Sequence, residues 1–187
     1  MRGPLFILSG PSGVGKDTVL DAWMALDPTV KRVVSYTTRT PRNREENGVA
    51  YHFVTAERFH ELANQDAFLE YKEVHGNWYA TPLHDLNAMR DQGLTAVLKI
   101  DVQGALVAME KCPDAVTVFL LPPSRDELMR RLMGRGTEDS ATIERRIQNA
   151  EFELAHAHHY RHQLVNEEIQ DVVAQLGALK AAAGGSG

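Results

Sequence analysis

Residues 10–18 read GPSGVGKDT and directly follow the apolar run LFIL at residues 5–8. A strand that ends in a glycine-rich loop and opens a helix lets successive backbone N–H groups converge on phosphate oxygens. The positive end of the helix stands behind them. Lys16 then supplies a point charge for the β- and γ-phosphates of a nucleoside triphosphate. Asp17 occupies the place where the spacing G-x-x-x-x-G-K-[ST] has a hydroxyl, and Thr18 follows it. The Asp17 carboxylate either binds Mg²⁺ or its waters, or turns away and favours the helix N-terminus. The second reading is preferred, because an anion beside a phosphate is unfavourable without the metal. A tight strand-to-helix connection that binds nothing is the bland alternative, and the placement of the lysine argues against it.

A second group of residues lies at 35–53. The stretch SYTTRTPR at 35–42, followed by GVAYHF at 48–53, brings Ser35, Arg39, Arg42 and Tyr51 into one turn-linked hairpin. Guanidinium forks meet phosphate oxygens in pairs, and hydroxyls complete the shell, so this is a candidate second phosphate site. A solvated charged turn is the alternative. The stretch FLEYKEVHGNWYATP at 68–82 alternates, which places Glu70, Tyr79 and Thr81 toward one pocket. A carboxylate beside a hydroxyl suits a purine with two adjacent N–H donors and a carbonyl oxygen, which describes guanine. Adenine presents an acceptor at N1 and leaves the carboxylate unpaired.

The elements that must position these residues follow from periodicity. Short apolar runs at 5–8, 96–100, 116–121 and 162–165 alternate with helix-like segments, as in a parallel sheet covered by helices on both faces. One helix is expected from Lys16 to Leu26, stopped by Asp27 and Pro28, and another from Leu83 to Gln92, closed by Gly93. Ser124 reads as an N-cap with Glu127 three residues on. Strand-like pieces are expected at 33–38, 50–54 and 68–79, with a short helix at 56–64, making a small mixed-sheet insert. The arginine-dense helical stretch at 125–157, broken by Gly134 and Gly136, reads as a mobile lid. The expected layout is a core of residues 1–33, 83–124 and 158–180, an insert at 34–82, a lid at 125–157 and a disordered tail at 181–187.

Bulk composition narrows the partners. The chain has 187 residues, 43% of them apolar, and a net charge of −5, as expected of one ordinary globular domain. Its acidity argues against a nucleic-acid coat, although local arginines still bind anions. Cys112 is the only cysteine, which excludes an intramolecular disulfide and fits a reducing cytoplasm. No export signal or membrane-length apolar run is visible. His156, His158, His159 and His162 crowd one helix end, but no carboxylate or thiol completes a metal set, so a solvated helix end is expected. Trp23 and Met24 are expected in the core.

The ordered motifs together resemble the guanylate kinase family: the phosphate loop, S-x-T-T-R-x-x-R, G-x-x-Y-x-F, F-L-E…E-V-H-G-x-x-Y-x-T-P, I-D-V-Q-G at 100–104, and R-G-T at 135–137. The likeness runs from the first strand to Val165 and Asn166. It implies a P-loop NTPase-like three-layer α/β/α fold with a parallel core sheet, a GMP-binding mixed-sheet insert and a helical lid. It also implies ATP-dependent phosphorylation of GMP, and of dGMP, to the diphosphate, with Mg²⁺ carried by the ATP phosphates.

By this resemblance Ser35, Arg39, Arg42, Tyr51 and Tyr79 hold the GMP phosphate. Glu70 and Thr81 read the base, with Asp101 at the floor of the cleft. Gly10, Pro11, Ser12, Gly13, Val14, Gly15, Lys16, Asp17 and Thr18 surround the ATP phosphates, joined by Arg131, and Asn166 approaches the adenine. Lys16, Arg39, Arg135 and Arg146 are the expected catalytic cations, and Thr18 or Asp17 reaches Mg²⁺ through water. Two positions depart from the pattern: Asp17 replaces the usual small residue, and Lys99 stands where many relatives have the first acid of D-I-D. A cytoplasmic monomer or homodimer acting on small molecules, without nucleic acid or membrane, is expected. A ribose phosphate kinase on the same scaffold would lack the Glu70/Thr81 and Tyr51/Tyr79 pairs. A non-catalytic binding module would have lost Lys16, Arg135 and Arg146.

Overall fold

The computed structural model describes residues 2–43, 45–74, 76–133 and 140–184. In chain order the elements are β1 (Leu5–Ser9), α1 (Lys16–Leu26), β2 (Val30–Arg32), β3 (Tyr36–Thr37), β4 (His52–Phe53) and α2 (Ala56–Asn64). Next come β5 (Phe68–Val74), β6 (Asn77–Pro82), α3 (Leu83–Asp91), β7 (Thr95–Lys99), α4 (Val102–Lys111) and β8 (Val116–Leu121). The chain continues through α5 (Arg125–Met133), α6 (Ser140–Ala155), a 3₁₀ turn (Ala157–His159), β9 (His162–Val165) and α7 (Ile169–Gly184).

Five strands form one parallel sheet in the order β2-β7-β1-β8-β9. Every residue of β1 is buried, because both faces of the sheet are covered. Leu5 and Ile7 face Leu86 of α3 and Val102, Ala105 and Ala108 of α4. Phe6 and Leu8 face the opposite layer, made of Val19, Leu20 and Trp23 of α1 and Val172, Val173 and Leu176 of α7. The Trp23 ring meets Phe6 edge-on at 5.0 Å, in the core as expected. With β1 between β7 and β8, the loop after β1 opens at the carboxyl ends of the strands, where open α/β sheets bind ligands.

A second sheet, in the order β4-β3-β6-β5, is mixed: β3 runs parallel to β4 and antiparallel to β6, and β6 is antiparallel to β5. Phe59 of α2 packs with Phe68 and Ala80 against its apolar face. Thr55 caps α2, its side chain accepting the Arg58 N–H at 3.2 Å. In the third unit, Leu128 and Leu132 of α5 pack on Ile147 and Ala150 of α6. The Ser124 hydroxyl accepts the Glu127 N–H at 3.1 Å, as the capping pattern predicts.

Several expectations need correction. The strand expected at 68–79 is a hairpin of two strands, because Gly76 takes a left-handed φ of 77° and reverses the chain. The strands expected at 33–38 and 50–54 shrink to two paired residues each, Tyr36–Thr37 and His52–Phe53. Residues 30–32, which carry no long apolar run, form the edge strand β2 because β7 offers them a parallel partner. The tail was expected to be disordered from residue 181, yet α7 runs to Gly184. Its alanines favour helix, and Lys180 ties this end to Asp27. Gly134, Arg135 and Gly136 lie outside the described residues. Among the described residues no helix is long and apolar enough to cross a membrane.

Candidate active site

The phosphate loop bends through glycines where a side chain would collide. Gly15 adopts φ 99° and N-caps α1, and a Cβ there would stand 2.7 Å from Nδ2 of Asn166. That amide donates to the Val14 carbonyl at 2.7 Å, so Asn166, nearly fully buried at the end of β9, braces the loop from beneath. Arg131 of α5 reaches the same carbonyl at 3.4 Å, while its Nε donates to Glu127 at 2.6 Å. Both residues assigned to ATP therefore touch the loop itself.

Lys16 folds back along the loop and donates to the carbonyls of Gly10 and Pro11. Burial pushes its ammonium pKa down and nearby Lys99 adds to that, while Glu153 and Asp17 pull it up. Glu153 comes from α6, and its Oε2 accepts the Ser12 N–H at 3.1 Å. Burial raises the Glu153 pKa against the pull of Lys16. Asp17 turns to cations: it pairs with Lys99 and lies 3.4 Å from Arg32. Although the side chain is largely exposed, loss of some solvent around it would raise its pKa, but Lys99, Arg32 and Lys16 together hold it below the usual carboxylate range. Thr18, beside it in the first turn of α1, is exposed.

On the insert, register decides which side chains meet. Glu70 of β5 pairs across the hairpin with Thr81 of β6, and Lys72 pairs with Tyr79. The Thr81 hydroxyl donates to Glu70 Oε1 at 2.6 Å, with both residues buried. Burial raises the Glu70 pKa, and the Thr81 hydrogen bond only partly offsets that. The carboxylate rests against Gly104 of α4, where a Cβ would stand 2.8 Å from Oε2. Asp101 N-caps α4, accepting the Gly104 N–H at 3.1 Å, and also pairs with Lys72.

The arginines of the insert are held by a residue that sequence reasoning missed. Glu45 grips Arg39 with both oxygens, at 2.9 and 3.0 Å, and accepts the Arg42 N–H at 2.7 Å. This hydrogen bonding raises the Arg39 pKa further. The guanidinium lies 5.4 Å from the centre of the Tyr51 ring, and that ring meets Tyr79 at 5.9 Å. Nothing in the spacing of Glu45 marks it out from the polar turn around it.

Two adjoining cavities gather part of the expected set, and Arg39 and Thr81 line neither. The smaller, about 280 Å³, is lined by Lys16, Ser35, Tyr51, Glu70, Tyr79 and Asp101, with Lys72 and Lys99. The larger, about 820 Å³, opens between insert and lid, with Ser12, Arg42, Asp101, Arg146 and Glu153 on its walls. Arg146 also donates to the Leu132 carbonyl at 3.1 Å. Lys72 borders both cavities, and burial lowers its pKa to about 8 although Glu70 and Glu153 favour its charge. The period-2 pattern that selected Glu70 also selects Lys72, so its position was legible in the sequence. Arg135 lies outside the described residues. No group of three or more His, Cys, Asp or Glu among the described residues is placed to hold a metal, the histidines at 156–162 included.

A family model described as guanylate kinase matches residues 2–182. A guanylate kinase of Alkalilimnicola ehrlichii is 44% identical over 179 residues, covering 96% of this chain and 88% of its own length. One from Clostridium perfringens is 41% identical over 178 residues, covering 95% and 82%. The crystal structure of guanylate kinase from Anaplasma phagocytophilum superposes with a TM-score of 0.79 at 33% identity, covering 97% of this chain and 86% of that one. The loop, the opposed Glu70 and Thr81 and the full-length matches agree: this chain belongs to the guanylate kinase family.

Proposed function

We propose that this chain transfers the γ-phosphoryl group of ATP to GMP, yielding ADP and GDP, with dGMP as a second acceptor. The pairing of Glu70 with Thr81 carries the choice of acceptor: carboxylate and hydroxyl lie 2.6 Å apart, and Glu70 lines the same cavity as Lys16. The ionised carboxylate accepts N1–H and the 2-amino group of guanine. The Thr81 hydroxyl turns its proton to O6. Adenine would leave the buried carboxylate facing an acceptor, a mismatch that separates substrates by roughly 10⁴-fold.

Ser35, Arg39, Arg42, Tyr51 and Tyr79 hold the GMP phosphate, and residues 10–18 surround the ATP phosphates. An oxygen of the GMP phosphate attacks the γ-phosphorus in line, the bond to the β–γ bridging oxygen breaks, and its electron pair leaves with ADP. The attacking oxygen is already anionic, so no general base is needed, and the protein's task is positioning and charge neutralisation. Lys16, Arg39, Arg135 and Arg146 supply the positive charge. Closure of the lid at 125–157 excludes water, which would otherwise accept the phosphoryl group.

Mg²⁺ carried by ATP would supply positive charge that offsets the phosphate charge. Asp17 and Thr18 offer a carboxylate and a hydroxyl beside the loop, a sparse protein shell that suits an ion held by phosphates and water. The reading places a monomer or homodimer in the cytoplasm, acting on small molecules. Measuring ADP formation with GMP, dGMP, AMP and a ribose bisphosphate tests it. Turnover with GMP far above AMP is expected. Equal use of AMP, or preference for the ribose phosphate, overturns it.

A further inference from the structure

We propose that Lys99 is a further ligand of the acceptor phosphate, a cation held by Asp17 until a substrate phosphate takes it over. The inference rests on the GMP reading above and adds to it a residue on the core sheet, outside the motifs that implied the phosphate site.

Three observations place Lys99 there. It ends β7 in register with Leu8, the penultimate residue of β1, so it stands at the carboxyl edge of the sheet, where the phosphate loop begins. Its side chain is mostly buried and lines the smaller cavity together with Ser35, Tyr51, Tyr79 and Lys16. The side chain therefore shares one cavity with Lys16 of the donor loop and with three of the hydroxyls assigned to the GMP phosphate. Two lysines in one cavity repel each other, and Lys99 contributes to lowering the Lys16 pKa. An anion between them removes that cost.

Energetics favour the exchange of partners. Asp17 is largely exposed and keeps a second cation, Arg32, at 3.4 Å, which also bonds Asp21 at 2.8 Å. An ion pair with an exposed member contributes little to stability. Charge-assisted hydrogen bonds to a phosphate in a sheltered cavity are roughly twice as strong as neutral ones. Losing Lys99 leaves Asp17 partnered, and the phosphate gains a donor. A purely structural role, tying α1 to β7, is the competing account, and it would not depend on whether the ligand carries a phosphate.

The test compares GMP with guanosine, using calorimetry for the nucleotide and ligand-observed NMR for the nucleoside. Lys99→Met should weaken GMP binding about tenfold or more and leave guanosine binding within about twofold. Lys99→Arg should restore most of the GMP affinity. The ligand-free melting temperature of each variant reports folding, and Lys99→Gln replaces Lys99→Met if the latter melts early. Equal loss of GMP and guanosine binding, or none of either, overturns the inference. Absence of GMP binding by the unsubstituted chain overturns the GMP reading itself, a separate and visible result.

Discussion

Gly104 leaves the Glu70 carboxylate its space: a Cβ on this helical glycine would stand 2.8 Å from Oε2 and 3.3 Å from the carboxyl carbon. Glu70, proposed to read the base, sits on β5, whereas the room it needs comes from α4. Glu70 can yield because the colliding atoms are the end of a flexible side chain. The fold should survive the crowding, and the position of the Glu70 carboxylate should not.

Gly104→Ala should therefore raise the KM for GMP at least tenfold with little change in the KM for ATP. Alanine in a helix interior is favoured over glycine by about 1 kcal/mol, so the melting temperature should hold or rise. Steady-state kinetics with each substrate varied in turn, beside a thermal melt, checks both halves.

Glu70→Gln should trade function for stability. Burial raises the Glu70 pKa in the folded state above its ordinary value of 4.5. Above the folded pKa the ionised carboxylate therefore costs stability, and below the unfolded pKa both states are protonated and the cost is gone. The variant should melt higher than the parent at neutral pH, with the gap closing as pH falls toward 4.5, while its KM for GMP rises. A pH series of melting curves for both proteins settles the sign.

Glu153→Gln should tighten ATP binding. The carboxylate occupies the Ser12 N–H at 3.1 Å and lies close enough to Lys16 to affect its titration. A negative charge near an anion site at an effective dielectric of about 20 costs on the order of 1–2 kcal/mol. ATP affinity should rise about fivefold to thirtyfold in direct titration, and weaker binding would assign Glu153 to ordering the loop.

Lys16→Ala should lower kcat by at least ~10²-fold, the scale of one preorganised charge stabiliser. The lysine donates to the Gly10 and Pro11 carbonyls, so its loss removes the charge together with these two loop contacts. Single-turnover measurements at saturating ATP and GMP separate this loss from weaker binding. Near-parental turnover would remove Lys16 from the transfer step.

Local rules were enough for much of the fold. The alternation of apolar runs with helical segments specified a parallel sheet, and α1, α2, β8 and β9 begin and end at the expected residues. Caps were legible for the same reason, since Ser124 and Glu127 act within one turn. β2 was not, because three residues with one buried side chain become a strand only when β7 stands beside them. The single strand expected at 68–79 failed at Gly76, whose left-handed φ reverses the chain.

The candidate site divides in the same way. By itself, the amino-acid sequence determined which groups are present: a phosphate loop, an arginine hairpin, a carboxylate with a hydroxyl, and the odd pair of Asp17 and Lys99. Tertiary structure decided which of them touch. Glu70 meets Thr81 through hairpin register, Glu153 reaches the loop from a helix 141 residues away, and Asp17 takes Lys99 across 82 residues. Side-chain type and short-range periodicity are properties of neighbouring residues. Contacts of this span depend on how sheets, helices and insert pack together, and residue spacing alone carries no record of that.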